Sequence, residues 1–565
     1  MKASLTMKTL LLSIVCAASF AVGARTLPPV VLMRFSSAQT RTLAEWKETA
    51  RALSENPGCC DDVWFSTGES FPALDWHREH VRCVREAAED VRKLGIEVSL
   101  QFEATIGHGD TFPTAEEKKL FDKPWTGWTG PDGTECVYCN CPRQPGFLRR
   151  LSEVGEVYAV IRPAVVWIDD DLRIANHAPV SGRDAPGCWC EKCVADFSAE
   201  ERRAWTRESL FAAYRKDERL RVRWHDFSSR SVAEVARTIA RAFRRVSPGT
   251  RMGFQTGADR SRMSEIVVRT LAEETGEKVG VRMGGGYYWD LSPYDAVSKA
   301  TQLVAKRPEM NIEELVDNWC IEVESYPRAY GSRSVRSMAL ESFVSMAWGF
   351  DTTSLFVMDR RSESDALYSQ YLLGPLVSVS KFLNGYRDAN LNAEPAGFTC
   401  RGLSFDDTRK LMGIPVLPGF GRSWGEIDSK REKFSGIGAV WGDCQTDLMP
   451  AFEVTPSAKL QLVRDRLCAT APLEVLSPFL GLVLPRVSSD GSLRTVGLVG
   501  TRLDSQANIV LRVETDVQSV VWRELGEASK ALEVVTVGGR RRVTVPSIGA
   551  WNMGYLDFAQ DATGN

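Results

Sequence analysis

The sequence lacks several features that would assign it to other classes of protein. Its 70 lysines and arginines nearly balance 73 aspartates and glutamates, for a formal net charge of −3. We find no clustered basic face of the kind that binds nucleic acid. No apolar run beyond the N-terminus is long enough to span a bilayer. Only five histidines are present, and they are scattered, which disfavours a histidine-ligated catalytic metal.

The first residues have the pattern of a secretory signal. Lys2 and Lys8 flank the start, an apolar stretch runs from Leu10 to Val22, and the small residues Gly23 and Ala24 follow. We therefore expect a signal peptide over residues 1–24 and a secreted or periplasmic location. The whole chain of 565 residues is too long for one core, which predicts two or three domains.

Apolar segments alternate with helical stretches from the signal to about residue 389, which we assign to one domain, 25–389. Eight strands alternating with helices predict a (β/α)8 barrel. The alternative is a doubly wound open sheet, which is less favoured because no glycine-rich phosphate loop follows the first strand. The predicted strands are Val30–Phe35, Asp62–Phe65, Ile96–Phe102, Val165–Ile168, Met252–Gln255, Val279–Arg282, Asn318–Val323 and Thr353–Val357.

The pattern changes after about residue 390. Short apolar runs at Leu411–Val416 and Gly436–Val440 predict a small α/β domain over residues 390–470. From Ala471 onward, β-branched runs and glycine turns occur without helical spacing. They predict a C-terminal antiparallel β-sandwich over residues 471–565.

Two of the predicted barrel strands end in acidic residues. The fourth runs into Asp169, Asp170 and Asp171, and aspartate is depleted in strands because buried unpaired carboxylates are costly. An N-cap or Asx turn would need only one aspartate, and the extra charges need a metal, a shared proton or an arginine to offset them. On the seventh strand, Glu322 and Glu324 share one face, unless this is a solvated edge strand. Two carboxylates at different strand ends are what glycoside hydrolysis requires.

These residues resemble the glycoside hydrolase family 42 type of β-galactosidase and related retaining barrel glycosidases. The order is Trp167–Asp171, a cysteine-rich loop, and then Glu324–Pro327. The resemblance implies that the family's Asn–Glu pair falls on Asp170 and Asp171, and that its nucleophile falls on Glu324. It also implies the same order of barrel, small α/β domain and β-domain. Asp171 stands where the family has glutamate, one methylene longer.

We therefore expect a secreted glycoside hydrolase that cleaves a β-linked oligosaccharide or polysaccharide, a galactoside or related hexoside, with retention. Asp171 would protonate the leaving oxygen, Glu324 would attack the anomeric carbon, and Asp170 with Glu322 would hold hydroxyls or tune the two pKa values. No organic cofactor is expected, and a homo-oligomer stays open. Polar or aromatic residues at other strand ends are predicted to bind substrate: Arg34, Gln101, Glu103, Gln255, Arg282, Trp289 and Asp359.

Two alternatives of another class stay open. A non-catalytic glycan-binding relative would keep the barrel but lack a competent acid. A zinc-dependent hydrolase would need metal ligands near Glu324.

Six cysteines form two clusters with mirrored spacing. Four of the six fit a thiolate zinc site, which related barrel enzymes also use and which would fix the long loop beside the aspartate strand. Disulfides are the alternative, since they are natural in an exported protein. Either would be structural, because no other ligand set lies nearby. The six are Cys136, Cys139, Cys141, Cys188, Cys190 and Cys193.

Overall fold

The computed structural model describes most of the chain. It covers residues 29–68, 72–103, 105–107, 123–175, 185–257, 261–288, 290, 293–328, 331–358, 365–400, 413, 415, 417, 438–444 and 471–559. The predicted signal peptide, Trp289 and Asp359 lie outside these residues, as does most of the predicted strand at 411–416. No helix in the described ranges is long and apolar enough to cross a membrane.

Strands and helices alternate through the first part of the chain. In order they are β1 (Val31–Phe35), α1 (Leu43–Glu55), β2 (Asp62–Ser66), α2 (Leu74–Lys93), β3 (Glu97–Phe102), β4 (Gly127–Thr129), β5 (Glu135–Asn140), α3 (Pro145–Ala159), β6 (Val165–Ile168), α4 (Glu191–Glu200), α5 (Arg207–Tyr214), α6 (Glu218–Val246), β7 (Arg251–Gly257), α7 (Ser261–Thr275), β8 (Val279–Gly284), α8 (Pro293–Lys306), β9 (Val316–Glu324), α9 (Val335–Ala347), β10 (Thr352–Phe356), α10 (Asp365–Tyr368) and α11 (Gly374–Ala389).

Eight of these strands close into a parallel barrel, in the order β1-β10-β9-β8-β7-β6-β3-β2. Closure follows from β1, which pairs in parallel with β2 on one side and with β10 on the other. The predicted (β/α)8 barrel is therefore confirmed, and the open sheet is excluded. The remaining two strands, β4 and β5, form a separate hairpin between β3 and α3.

Alternate residues of the strands fill the barrel interior in layers. The layer nearer the N-terminal ends of the strands is apolar. In it the ring of Trp64 stacks on that of Trp167, with centroids 4.5 Å apart. A Cβ at Gly280 would lie 2.7 Å from the Trp167 ring, so glycine there leaves room for the tryptophan. The layer consists of Leu32, Trp64, Trp167 and Cys320. Two residues further along the same four strands stand the polar residues Arg34, Ser66, Asp169 and Glu322.

The C-terminal part consists of two sheets that share one buried core. A seven-stranded sheet has the order β12-β11-β14-β15-β21-β17-β18, and a four-stranded sheet has the order β13-β16-β20-β19. Among the described strands of these two sheets, only β11 and β12 pair in parallel. The strands are β11 (Glu394–Cys400), β12 (Ala439–Cys444), β13 (Leu473–Val475), β14 (Gly481–Val487), β15 (Leu493–Gly500), β16 (Gln506–Val513), β17 (Ser519–Glu524), β18 (Lys530–Glu533), β19 (Val535–Val537), β20 (Arg540–Ile548) and β21 (Met553–Asp557).

Antiparallel sheets after the barrel agree with the sequence-based expectation, and the first sheet also packs on the barrel. The ring of Tyr555 on β21 lies 5.1 Å from that of Tyr386 on α11. Because β11 pairs with both β12 and β14, the segment predicted as a small α/β domain shares a sheet with the last part of the chain. The domain boundaries stay predictions, since residues 445–470 lie outside the described part.

Candidate active site

The polar layer of the barrel is organised around Glu322 on β9. Nη1 of Arg34 lies 2.6 Å from its Oε1, and Nη1 of Arg282 lies 3.0 Å from the same oxygen. The backbone N–H of Gly285 donates to the other oxygen, Oε2, at 3.2 Å. Burial would raise the pKa of Glu322, but Arg282 and Arg34 outweigh burial and lower it. Glu322 is therefore an ionised carboxylate held in place by strands on both sides of β9.

The two arginines extend the network to three further strands. Nε of Arg34 donates to Oε1 of Gln101 at 2.7 Å, and Nε2 of Gln101 donates to Oδ1 of Asp169 at 2.7 Å. Nε of Arg282 donates to Oε1 of Gln255 at 2.9 Å. The structure thus brings together four of the predicted substrate-binding residues. All four are at most 3% exposed and contact other protein groups, so their role toward a sugar stays a prediction.

Room for this network depends on Gly284 at the end of β8. A Cβ at that position would overlap both Oε2 of Glu322 and Nη1 of Arg282. The backbone there is not in a left-handed conformation. Glycine is therefore required by close approach, and any side chain would push the ion pair apart.

Glu324 lies two residues further along β9, at the C-terminal end of that strand. Its Oε1 is 2.9 Å from Nη2 of Arg328, and its side chain is 13% exposed, against 6% for Glu322. Burial and the nearby charge of Glu322 raise the pKa of Glu324, although Arg328 and Arg34 oppose the rise. The two glutamates of β9 thus have opposite electrostatic surroundings: the pKa of Glu322 is lowered by two arginines, whereas the pKa of Glu324, the more exposed of the two, is raised by burial and by Glu322.

A second buried network fixes the backbone that carries both glutamates. Nζ of Lys299 on α8 donates to the carbonyl oxygen of Glu322 at 2.6 Å. Nη1 of Arg333 donates to the carbonyl oxygen of Glu324 at 3.1 Å. Both cations pair with Glu341 on α9, which is fully buried. These three residues, Lys299, Arg333 and Glu341, were not found from the sequence, because nothing local indicates where their charged groups point.

The three aspartates after β6 point to different partners. Asp169 turns down into the polar layer toward Gln101, and burial together with Asp170 raises its pKa. Oδ2 of Asp170 lies 3.7 Å from Nη1 of Arg282, the arginine that also binds Glu322. Oδ1 of Asp171 lies 2.8 Å from Nη2 of Arg173. Arginines therefore offset the acidic run, and Asp170 rather than Asp171 shares an arginine with Glu322.

Tyr288, which follows β8, is a further residue that the sequence did not identify. Burial raises its pKa to about 12, with additional contributions from Glu324, Glu322 and Asp170. The phenol therefore lies within electrostatic reach of carboxylates from both strand ends and stays protonated at neutral pH, as a hydrogen-bond donor. Its position shortly after the predicted sixth strand is the sequence feature that could have indicated it. Its neighbour Trp289 was predicted from the sequence instead.

Glu103, the remaining described substrate-binding candidate, contacts the polar layer through Ser66. Its Oε2 accepts a hydrogen bond from the hydroxyl of Ser66, and its backbone N–H donates to Oγ1 of Thr67 at 3.1 Å. It joins the ends of β2 and β3. Asp359 and Trp289 lie outside the described residues.

Four of the six clustered cysteines converge on one point. Sγ of Cys141 lies 3.6 Å from that of Cys190 and 3.5 Å from that of Cys193, and with Cys188 the four sulfurs lie within 4.8 Å of one another. A tetrahedral zinc–thiolate site with bonds of about 2.3 Å places sulfurs about 3.8 Å apart, so the buried cluster fits zinc. Cys136 and Cys139, also in the predicted set, lie outside it. Each of the ten cysteines whose side chains the structure describes is unbridged.

The comparisons with known proteins concern the fold. Neither a protein-family model nor a curated protein sequence matches the chain significantly. Solved structures do match over nearly its whole length. An α-L-fucosidase isoenzyme 2 from Paenibacillus thiaminolyticus is 11% identical, with a TM-score of 0.58 over 94% of this chain and 100% of that one. The fold of this chain resembles that of the fucosidase.

Two β-galactosidases show the same likeness. The enzyme from Bacillus circulans sp. alkalophilus is 11% identical, with a TM-score of 0.57 over 95% of this chain and 100% of that one. A catalytic mutant of a GH42 β-galactosidase from G. stearothermophilus is 9% identical, with a TM-score of 0.54 over 94% of this chain and 98% of that one. At such identities the similarity establishes the fold and assigns no residue a role.

Proposed function

We propose that the protein is a glycoside hydrolase that cleaves a β-linked galactoside or related hexoside with retention. One observation supports this most strongly. Carboxylates from the ends of the fourth and seventh barrel strands meet at Arg282, whose Nη1 lies 3.7 Å from Asp170 and 3.0 Å from Glu322, and Glu324 follows two residues later on the same face of β9. Retaining hydrolysis needs two carboxyl groups with unlike surroundings, from opposite sides of the scissile bond.

Glu324 is the proposed nucleophile. It lies at the open end of the polar layer, and Arg328 favours its ionised form. In the first step its carboxylate bonds to the anomeric carbon while the glycosidic C–O bond breaks, and the acid donates its proton to the leaving oxygen. In the second step water attacks the same carbon, the residue that acted as the acid removes a proton from this water, and the ester to Glu324 breaks.

The acid/base residue has two candidates. The resemblance to family 42 assigns the role to Asp171. The contacts favour Asp170, because the 2.8 Å ion pair of Asp171 with Arg173 stabilises the ionised form, and so opposes proton donation, more strongly than Arg282 does at 3.7 Å from Asp170. Asp170 is also the more exposed, at 30% of its side chain against 15%. We assign proton transfer to Asp170. Asp171 is the alternative acid/base residue, and the Asp170→Asn and Asp171→Asn variants distinguish the two.

The remaining predicted residues have supporting roles in this proposal. The charge and position of the carboxylates would depend on four residues of the polar layer: Arg34, Gln101, Gln255 and Arg282. Trp289 and Asp359 would contact the sugar. Cys141, Cys188, Cys190 and Cys193 would hold a structural zinc, which ties the chain after β5 to the start of α4. The N-terminal signal pattern supports export, to be tested by cell fractionation.

A panel of nitrophenyl glycosides tests the proposal on the purified full chain. Asp170→Asn should slow hydrolysis of substrates with poor leaving groups about 10²–10⁴-fold, and azide should restore the second step. Asp171→Asn should stay within a few-fold of wild type, like the exposed control Asp504→Asn. The reverse pattern would return the role to Asp171. Sugar binding by wild type without turnover of any glycoside would favour the non-catalytic glycan-binding alternative.

A further inference from the structure

The most exposed aromatic side chain in the described part of the chain lies beside the proposed nucleophile. Tyr326 is 58% exposed and follows Glu324 by two residues. Tyr371, in the helical segment after β10, comes next at 50%, and the other described aromatic side chains are buried or half-buried. A single exposed ring is ordinary on a protein surface. The position of Tyr326 and the way its backbone is held therefore decide whether the ring has a role.

The backbone that carries this ring is tied to the strands on both sides of β9. The N–H of Ser325 donates to the carbonyl oxygen of Phe356 on β10, and the N–H of Tyr326 donates to that of Tyr288 beyond β8, both at 3.3 Å. These bonds continue the pairing of β9 past its last residue. Loops usually carry their side chains on a more mobile backbone. The ring of Tyr326 is instead presented in a fixed place, which reduces the conformational entropy lost when a ligand binds.

Tyr326 also stands at the tip of a short turn that the nucleophile itself closes. Nη2 of Arg328 lies 2.9 Å from Oε1 of Glu324, and the carbonyl oxygen of Arg328 accepts a hydrogen bond from the hydroxyl of Tyr368. Within this turn Ser325 is fully buried, whereas Tyr326 is exposed. One segment therefore holds both the carboxylate and the ring, with the ring on the solvent side.

The barrel interior is filled on the N-terminal side of Glu324. The polar layer comes first, and its side chains Arg34 and Arg282 are at most 3% exposed. The apolar layer with Trp64 and Trp167 follows. A sugar unit whose anomeric carbon contacts Glu324 has no room to extend in that direction. The rest of the substrate, beyond the bond that breaks, must therefore lead outward, toward the side on which Tyr326 is exposed.

We propose that the ring of Tyr326 stacks on the sugar unit that leaves, and so selects oligosaccharides over substrates with a small leaving group. One face of a hexose ring carries C–H groups, which pack on an aromatic face, whereas its hydroxyl groups need polar partners. The charged side chains around Glu322 suit the hydroxyls of the unit bound at Glu324, and the apolar face of Tyr326 suits the unit outside. This role rests on the proposed glycosidase function.

Two substitutions separate the ring from the backbone that carries it. Tyr326→Leu removes the aromatic face but keeps an apolar side chain, and Tyr326→Phe keeps the face but removes the hydroxyl. Leu503→Ala is the control, because Leu503 is 86% exposed and lies between β15 and β16. Each variant is made in the wild-type chain for kinetics and in Glu324→Gln for binding, so that a disaccharide is not consumed during the titration.

The kinetic measurement compares a β-linked galactosyl-glucose disaccharide with β-galactosyl fluoride, whose leaving group has no ring. Tyr326→Leu should lower kcat/KM about tenfold for the disaccharide and far less for the fluoride. Tyr326→Phe should recover most of the loss, and Leu503→Ala should match the wild type. Equal losses for both substrates would mean that the ring supports Glu324 rather than the leaving group and would overturn the proposal, as would no loss for either.

Isothermal titration in the Glu324→Gln chain tests the same role without turnover. Tyr326→Leu should weaken binding of the disaccharide about tenfold and leave that of galactose unchanged. Equal weakening of both sugars, or disaccharide binding that is unchanged or absent from the start, would overturn the proposal. Failure of the hydrolase function would appear separately, as no turnover of either substrate by the wild type while the disaccharide titration still depends on Tyr326.

Discussion

Nη2 of Arg328 lies 2.9 Å from Oε1 of Glu324, and the same guanidinium stacks 3.8 Å from the ring centroid of Phe356. The guanidinium of Arg34, on the adjacent strand β1, lies 4.3 Å from the centroid of the same ring and binds Glu322. One aromatic ring thus positions two arginines, each bound to a different glutamate of β9. The ion pair of Arg328 with Glu324 opposes the rise in the pKa of the proposed nucleophile that burial and Glu322 cause.

Arg328→Met should move the acid limb of the kcat/KM profile to higher pH. The nucleophile must be ionised, burial and Glu322 raise the pKa of Glu324, and Arg328 opposes them. Removing the guanidinium therefore raises the pKa further, so that activity is lost at a higher pH as the solution is acidified. Arg328→Lys should shift the limb less, and the exposed Arg336→Met should not shift it. An unmoved limb in Arg328→Met would exclude this control of Glu324.

Glu322→Gln should destabilise the fold, whereas Glu324→Gln should not. Glu322 is the counter-charge of two buried arginines, and removing one partner of a buried pair costs about 3–5 kcal/mol. Burial and Glu322 already disfavour the ionised form of Glu324, so glutamine there relieves a cost. Urea denaturation at neutral pH compares the two. Equal losses of unfolding free energy would contradict the distinction between them.

Gly284→Ala should disrupt the polar layer. The added Cβ overlaps the Arg282–Glu322 pair, and overpacking of this kind costs about 1–3 kcal/mol. Gly249→Ala is the control, because a Cβ there meets nothing within 4 Å and the backbone needs no left-handed conformation. Thermal unfolding together with the hydrolysis rate reports both effects. Wild-type behaviour of Gly284→Ala would mean that the layer accommodates more volume than its contacts indicate.

The cysteine cluster predicts about one zinc per chain. Cys190→Ser should lose the metal and unfold more easily, because Cys190 is one of four converging sulfurs. Cys136→Ser should retain the metal, since Cys136 lies outside that group. Elemental analysis of both variants and the wild type gives the answer. No metal in the wild type, with the four cysteines in disulfides, would decide for the disulfide alternative.

The barrel was predictable because its strands carry a strong local signal. All eight predicted strands overlap the observed ones, and each is a short apolar run followed by a helix. The same periodicity correctly placed Glu322 and Glu324 on one face, with Val323 packed in the main core. Parallel strands bring their ends together, so polar residues at those ends were found even though they are far apart in sequence.

The partners of these residues were not predictable from the sequence. Nothing local indicates that Asp169 turns to Gln101, that Asp170 shares Arg282 with Glu322, or that Asp171 binds Arg173. These pairings depend on which side chains of neighbouring strands lie at the same level along the barrel axis. The cysteine pattern likewise indicated four ligands among six, and only the fold selects Cys141 over Cys136 and Cys139.

Covalent trapping tests the central claim most directly. The wild-type chain is incubated with a 2-deoxy-2-fluoro-β-galactoside carrying a good leaving group, digested and analysed by mass spectrometry. The account predicts one fluorosugar adduct, on the peptide that contains Glu324, and none in Glu324→Gln. Turnover of β-galactosides with an adduct on another carboxylate, or with inversion at the anomeric carbon and no adduct at all, would contradict it.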